Sequence, residues 1–195
     1  MARSFCKTWW GNAWLQALSH IDYSNRIPRG ARYARNGSVK SVAFDDNKIK
    51  AKVQGSRLTP YTVTMKVNKF TKEETERLMD GILANPAIVP QLLNMNLSPA
   101  VLDIAKKAKL KVFPDSWRDL DMDCSCPDWA VPCKHIAAVV YMIGLEIDNN
   151  PFLVFRLHGV DILEELKKRG IGDDEKHHVT IPTWQEALPL VLPSI

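Results

Sequence analysis

The chain has 195 residues, 46% of them hydrophobic and 25% charged, with a formal net charge of +4. That is enough apolar material for one packed domain or two small ones, and with no run of eighteen apolar residues no segment reads as a membrane-spanning helix. The charged opening MARSFCKTWW lacks the apolar stretch of a secretory signal, so a cytoplasmic protein is expected, with its four cysteines in a reducing setting.

From the start of the chain, Trp10, Trp14 and Leu18 recur every four residues, which predicts an amphipathic helix over 10–18. Tryptophans can stack on bases, but aromatics at helical spacing beside leucines are more often core, and Trp9, Trp10 and Trp14 are read that way. Cys6 has no second Cys or His near it in the sequence and reads as a half-buried bystander.

The next stretch is the most basic. Residues 26–72 hold twelve Lys and Arg against Asp45 and Asp46, a net of +10, while residues 73–195 hold twelve against nineteen acids, a net of −7. Such asymmetry points to a polyanion as partner, nucleic acid foremost. Asn36-Gly37 is a hairpin signal and Asp45-Asp46-Asn47 a second turn. Ile49, Ala51 and Val53 alternate with lysines, and Tyr61, Val63, Met65 and Val67 alternate with polar residues. The pattern predicts an antiparallel meander with one apolar and one cationic face.

Arg26, Arg29, Arg32 and Arg35 are expected to enter this sheet at intervals of three, with Lys48, Lys50 and Lys52 on one face and Arg57 in the Gly55-Ser56-Arg57 loop. These eight are the candidate nucleic-acid-binding residues, because guanidinium forks and lysines beside glycines suit phosphate oxygens. The plain alternative is a solvated polar face. No helix places Asn, Gln and Arg on one face, so base-specific readout is not indicated.

From Thr71 the pattern turns helical. Thr71 to Glu74 form a capping box for a helix to about Ala84, a shorter helix follows over 86–94, and Ser98-Pro99 cap a third to about Ala108. Lys106, Lys107, Lys109 and Lys111 form a smaller basic patch. Residues 110–113 and 117–124 are expected to pair as a hairpin that delivers the next feature.

That feature is DCSCPDWAVPCKHIAAVV, from Asp123 to Val140. It holds a C-x-C pair, Cys124 and Cys126, then a C-x-H pair, Cys133 and His135, at metal-ligand spacing. In a strand, residues two apart share a face, so both cysteines of the first pair can aim at one ion. The run from Ile136 to Leu145 reads as a buried helix with His135 in its first turn. Three thiolates and one imidazole make a closed, structural Zn²⁺ site, with Asp123, Asp128 and the helix start as candidates to orient the ligands. Asp119, Asp121 and Asp123 are a rival oxygen site with a weaker claim on the ion. Helices are also expected from Asn150-Pro151 to Gly159 and from Asp161 to Arg169. The tail, with Trp184, Leu188, Leu190, Val191 and Leu192, is either a partner-binding segment or a last strand, and His177-His178 lack a third ligand.

The C-x-C, six residues, C-x-H pattern followed by an aliphatic helix resembles the SWIM-type zinc finger. WWGNAWL, RGARYAR, VQGSRLTPY and NPFLVFRLHG look like segments of bacterial SWIM proteins associated with Swi/Snf-type helicase-like ATPases. The resemblance implies Cys124, Cys126, Cys133 and His135 as zinc ligands and a helicase-like ATPase, or another protein, as partner.

The expected fold is α+β: an antiparallel β-meander with an N-terminal helix, a helical middle, and a small SWIM-like zinc module of β-hairpin plus helix followed by packed helices. The expected divisions are a basic β-rich region over 1–70, a helical segment over 71–110, the zinc finger with its following helices over 111–170, and a tail over 171–195. The expected function is that of a zinc-binding accessory protein that binds nucleic acid, DNA in the first place. The alternative is a protein-interaction adaptor whose zinc is purely structural. An enzyme is not expected, since no phosphate-binding loop, nucleophile elbow or two-metal carboxylate cluster is found.

Overall fold

The computed structural model describes residues 5–18, 26–128 and 131–172. The apolar tail residues from Trp184 onward and the His177-His178 pair lie outside the described residues. The fold is mixed α+β, with one four-stranded antiparallel sheet in the order β1-β2-β3-β4 and helices gathered on its inner face.

Thr8 opens α1 (Trp9–Trp14), its side chain accepting from the Gly11 N–H, and a 3₁₀ turn continues over Leu15–Leu18. Trp14 and Leu18 are buried and the Trp14 indole donates to the Val140 carbonyl at 3.2 Å, in keeping with the core reading.

The arginines at intervals of three do not enter the sheet. They lie on a helix, α2 (Arg26–Arg35). Ile27 and Gly30 are buried on one side while Arg29, Arg32 and Arg35 are exposed on the other, and Pro28 sits in the first turn, where a missing N–H costs little. Gly30 allows the close approach of α2 to a later helix, since a Cβ there would lie 2.5 Å from the Ala137 Cβ. Asn36-Gly37 is consequently a helix exit rather than a hairpin: Gly37 has φ +75° and the Ser38 N–H returns to the Tyr33 carbonyl at 3.2 Å.

Three strands follow, β1 (Val39–Asp45), β2 (Lys48–Val53) and β3 (Tyr61–Lys66). Asp46 and Asn47 make the expected tight turn between the first two. Ile49, Ala51, Val53, Tyr61, Val63 and Met65 point inward and are buried, while Lys48, Lys50 and Lys52 are exposed on the outer face. In β1 the register shifts between Val39 and Ser41, a bulge, and on this edge strand Val39 and Val42 are only half-buried.

Helices α3 (Lys72–Leu83), α4 (Val89–Leu93) and α5 (Pro99–Lys107) form the middle, with the Thr71/Glu74 capping box and the Ser98 cap both in place. Beyond them the expected hairpin is replaced by something different. Residues 110–113 form no strand, and β4 (Asp121–Cys124) pairs antiparallel with β3. The reason lies at Asp119: its carboxylate accepts from the Asp115 and Ser116 N–H groups at 2.9 and 3.1 Å and meets Lys111 at 3.0 Å, so the chain turns through a 3₁₀ step. Leu120 and Met122 then face the core already lined by β3.

The sixteen-residue α6 (Lys134–Asn149) lies on the inner sheet face and touches α1, α2, α7 (Leu153–Leu157) and all four strands. After α8 (Ile162–Lys168), Gly170 has φ +77°. One cluster of buried side chains runs from Trp14 to Leu166, so the zinc-finger segment shares its core with the N-terminal strands. Gly30→Ala, which forces a methyl against Ala137, is expected to lower stability by about 1–3 kcal/mol in urea unfolding.

Candidate metal centre

Antiparallel pairing delivers the first ligand: Cys124 ends β4 opposite Val63. The ladder runs one step further, with the Ser125 N–H donating to the Thr62 carbonyl at 3.0 Å and the Thr62 N–H donating to Ser125 Oγ at 2.9 Å. Cys126 follows just past the strand. Cys133 is the residue at the N-terminal cap of α6 and His135 sits in its first turn, both buried, while Cys124 and Cys126 are half-buried.

The structure therefore brings a strand end and a helix start together around one point. His135 Nδ1 lies 3.9 Å from Cys124 Sγ and 3.8 Å from Cys133 Sγ, and the four ligand atoms lie within 4.8 Å of one another. A tetrahedral zinc ion with usual bond lengths needs ligand atoms about 3.6–3.8 Å apart. The donor set suits Zn²⁺ in a closed, structural site held by Cys124, Cys126, Cys133 and His135. Among the described residues, no other group of three or more His, Cys, Asp and Glu is close enough to hold a metal ion.

The thiols divide by environment. Cys133 is pulled down to about 4, chiefly by the Cys124 thiol that donates to it, with His135 and backbone N–H groups assisting against burial. Cys124 is pushed up mainly because it supplies that hydrogen bond, and Cys126 is pushed up mainly by burial. A second and third thiolate beside the first require a cation, which is the chemistry that a divalent metal supplies.

Two aromatic rings flank the imidazole. Tyr61 of β3 lies 4.7 Å and Tyr33 of α2 lies 5.6 Å from the His135 ring centre. Nε2 is buried with no hydrogen-bond partner among the described residues, and a Cβ at Gly55 would lie 3.1 Å from it and 2.4 Å from the Tyr61 ring. Tyr33, Gly55 and Tyr61 thus shape the site. Nothing in their spacing could reveal this, because α2, the β2–β3 loop and β3 meet only in three dimensions. Of the two expected orienting carboxylates, Asp123 faces outward opposite Thr64, while Asp128 lies beside the ligands, its backbone oxygen 3.9 Å from Cys126 Sγ. The rival oxygen site also separates, since Asp119 is engaged by Lys111 while Asp121 lies opposite Lys66 on the outer face.

The eight basic candidates fall on two surfaces. Arg26, Arg29, Arg32 and Arg35 belong to α2, which packs on α6 on the inner side of the sheet, and the Arg57 guanidinium lies 5.3 Å from the Tyr61 ring. Lys134, not singled out in the sequence, stands 6.0 Å from the Tyr33 ring. Lys48, Lys50 and Lys52 project from the opposite face. There Lys48 is the register partner of Asp45, and Lys52 Nζ donates to Thr62 Oγ1 at 2.8 Å.

Residues 112–144 match the SWIM zinc finger family. The matched SWIM segment runs from Val112, within the core, through the four ligands and into α6. Beyond it, the chain is 35% identical over 156 residues to an uncharacterized protein, Rv2102, of Mycobacterium tuberculosis, an alignment that covers 80% of this chain and 56% of that protein. The chain thus spans little more than half the length of this relative. No solved structure matches.

Two outcomes are expected. Zinc binding to metal-free protein at pH 7 should release about two protons, from Cys124 and Cys126, with Cys133 already ionised; titration calorimetry in buffers of different ionisation enthalpy reads this directly. Gly55→Ala, which drives a methyl into Tyr61 and His135, should weaken zinc affinity about 10–100-fold in a competition titration with a chelator.

Proposed function

We propose that this protein binds nucleic acid, DNA in the first place, through the surface that α2 and the SWIM segment form together. One observation carries the reading. The two rings that flank His135 each bear a cation, Lys134 near Tyr33 and Arg57 over Tyr61, and the arginine stripe of α2 continues from Tyr33. Zinc, by fixing His135, fixes the aromatic rings and so the spacing of these cations. Phosphate oxygens are the ligands such an array suits, and the affinity it supplies is independent of base sequence.

Lys48, Lys50 and Lys52 have a smaller part in this reading. Asp45, Asp121 and Asp123 share their face, so the outer sheet surface is close to charge-balanced. Action beside a helicase-like ATPase rests on the resemblance to bacterial SWIM proteins. The adaptor reading keeps one observation in its favour: Leu58, next to Arg57 at the loop tip, is wholly exposed and offers an apolar contact.

A titration of labelled single-stranded and double-stranded DNA at several salt concentrations tests the proposal. Binding should weaken steeply with salt, and Arg29→Ala, Arg32→Ala and Arg57→Ala should each lower the salt slope by about one. Replacing Lys48, Lys50 and Lys52 by Ala should change affinity far less. Absence of binding at low salt would overturn the proposal in favour of the adaptor.

A further inference from the structure

The loop between β2 and β3, from Gln54 to Pro60, holds an apolar side chain out among cations. Leu58 at its tip is 101% exposed, whereas the other large hydrophobic side chains on the described surface, Phe44, Leu93, Met95 and Val131, are 36–44% exposed and so partly covered by their own chain. Both ends of the loop are anchored. The Gln54 N–H donates to the Ser38 carbonyl at 2.8 Å, and the Gln54 side chain donates to the Gly55 carbonyl at 3.2 Å and to the Arg57 carbonyl. Gly55 packs on Tyr61, where a Cβ would lie 2.4 Å from the ring, and Pro60 fixes the backbone just before β3. The tip is therefore presented rather than folded back.

The setting of Leu58 narrows what it can meet. The neighbouring Arg57 guanidinium lies 5.3 Å from the Tyr61 ring, Tyr61 flanks His135 at 4.7 Å, and Tyr33 of α2 approaches the same imidazole at 5.6 Å. Ser56, Arg57 and Thr59 are exposed beside the leucine. Leu58 thus stands at the rim of the cationic surface that the arginines of α2 continue. The phosphates of DNA offer nothing to an aliphatic side chain. Its base faces do, and a protein reaches them by parting a stack.

Resting on the nucleic-acid reading above, we infer that Leu58 is an apolar wedge that enters between neighbouring bases, with Arg57 holding the phosphate beside the opened step. The substrate class is DNA whose stacking is already interrupted, at a junction between duplex and single strand, because a step there parts at the least cost. Leu58 decides which DNA structure is held, while the cations supply affinity for any DNA.

The test uses the zinc-loaded full chain and a duplex–single-strand junction with 2-aminopurine, a base whose fluorescence rises on unstacking, at the step beside the junction. The same DNA fully paired is the comparison. Fluorescence should rise on binding to the junction, which should be held about tenfold more tightly than the duplex. Leu58→Ala, a change at a wholly exposed position, should abolish the rise at saturation and level the two affinities without altering the salt slope. Leu58→Phe should keep both effects. Arg57→Ala should do the reverse, lowering affinity and salt slope while the rise at saturation remains. Steeply salt-dependent binding with no rise, or a rise that Leu58→Ala leaves intact, would overturn the wedge and leave the basic surface standing. Absence of binding at low salt would overturn both.

Discussion

The structure turns on one joint, the meeting of the end of β4 with the start of α6 around His135. Three thiols and an imidazole crowd into a space a few ångströms wide, and without a cation two of the thiols must stay protonated to coexist. The same joint decides how the largest helix lies on the sheet, because α6 begins at the ligands and then runs across all four strands. A metal at this point is a cross-link between a sheet and a helix rather than a clip on an isolated finger.

What was legible in the sequence follows from how local each signal is. The ligand set lies within twelve residues, Cys124 to His135, and its chemistry admits few alternatives, so residue spacing was enough. β2, β3 and the capped helices α3 and α5 were likewise written in period and capping residues. Two elements were not. An arginine every third residue fits a helix stripe as well as a turn-rich entry to a sheet, and only the packing of Gly30 on Ala137 decides for α2. The partner of β4 could not be read either, since Asp121–Cys124 pairs with a strand far back in the chain and the segment just before it is bent away by Asp119.

These corrections change the functional picture. With α2 helical, the arginines leave the sheet for the helix whose Tyr33 flanks His135, while the β2 lysines remain on the other side among aspartates. Charge counted along the chain had merged two surfaces that the fold separates. The proposed nucleic-acid surface is thereby smaller than the basic stretch suggested.

The most direct test of the metal as a joint is amide hydrogen exchange on zinc-loaded protein before and after chelation. The account predicts that protection falls together in β3, β4 and the first turns of α6, because one ion holds all three in register. Loss confined to residues 124–135, with β3 and α6 still protected, would contradict it.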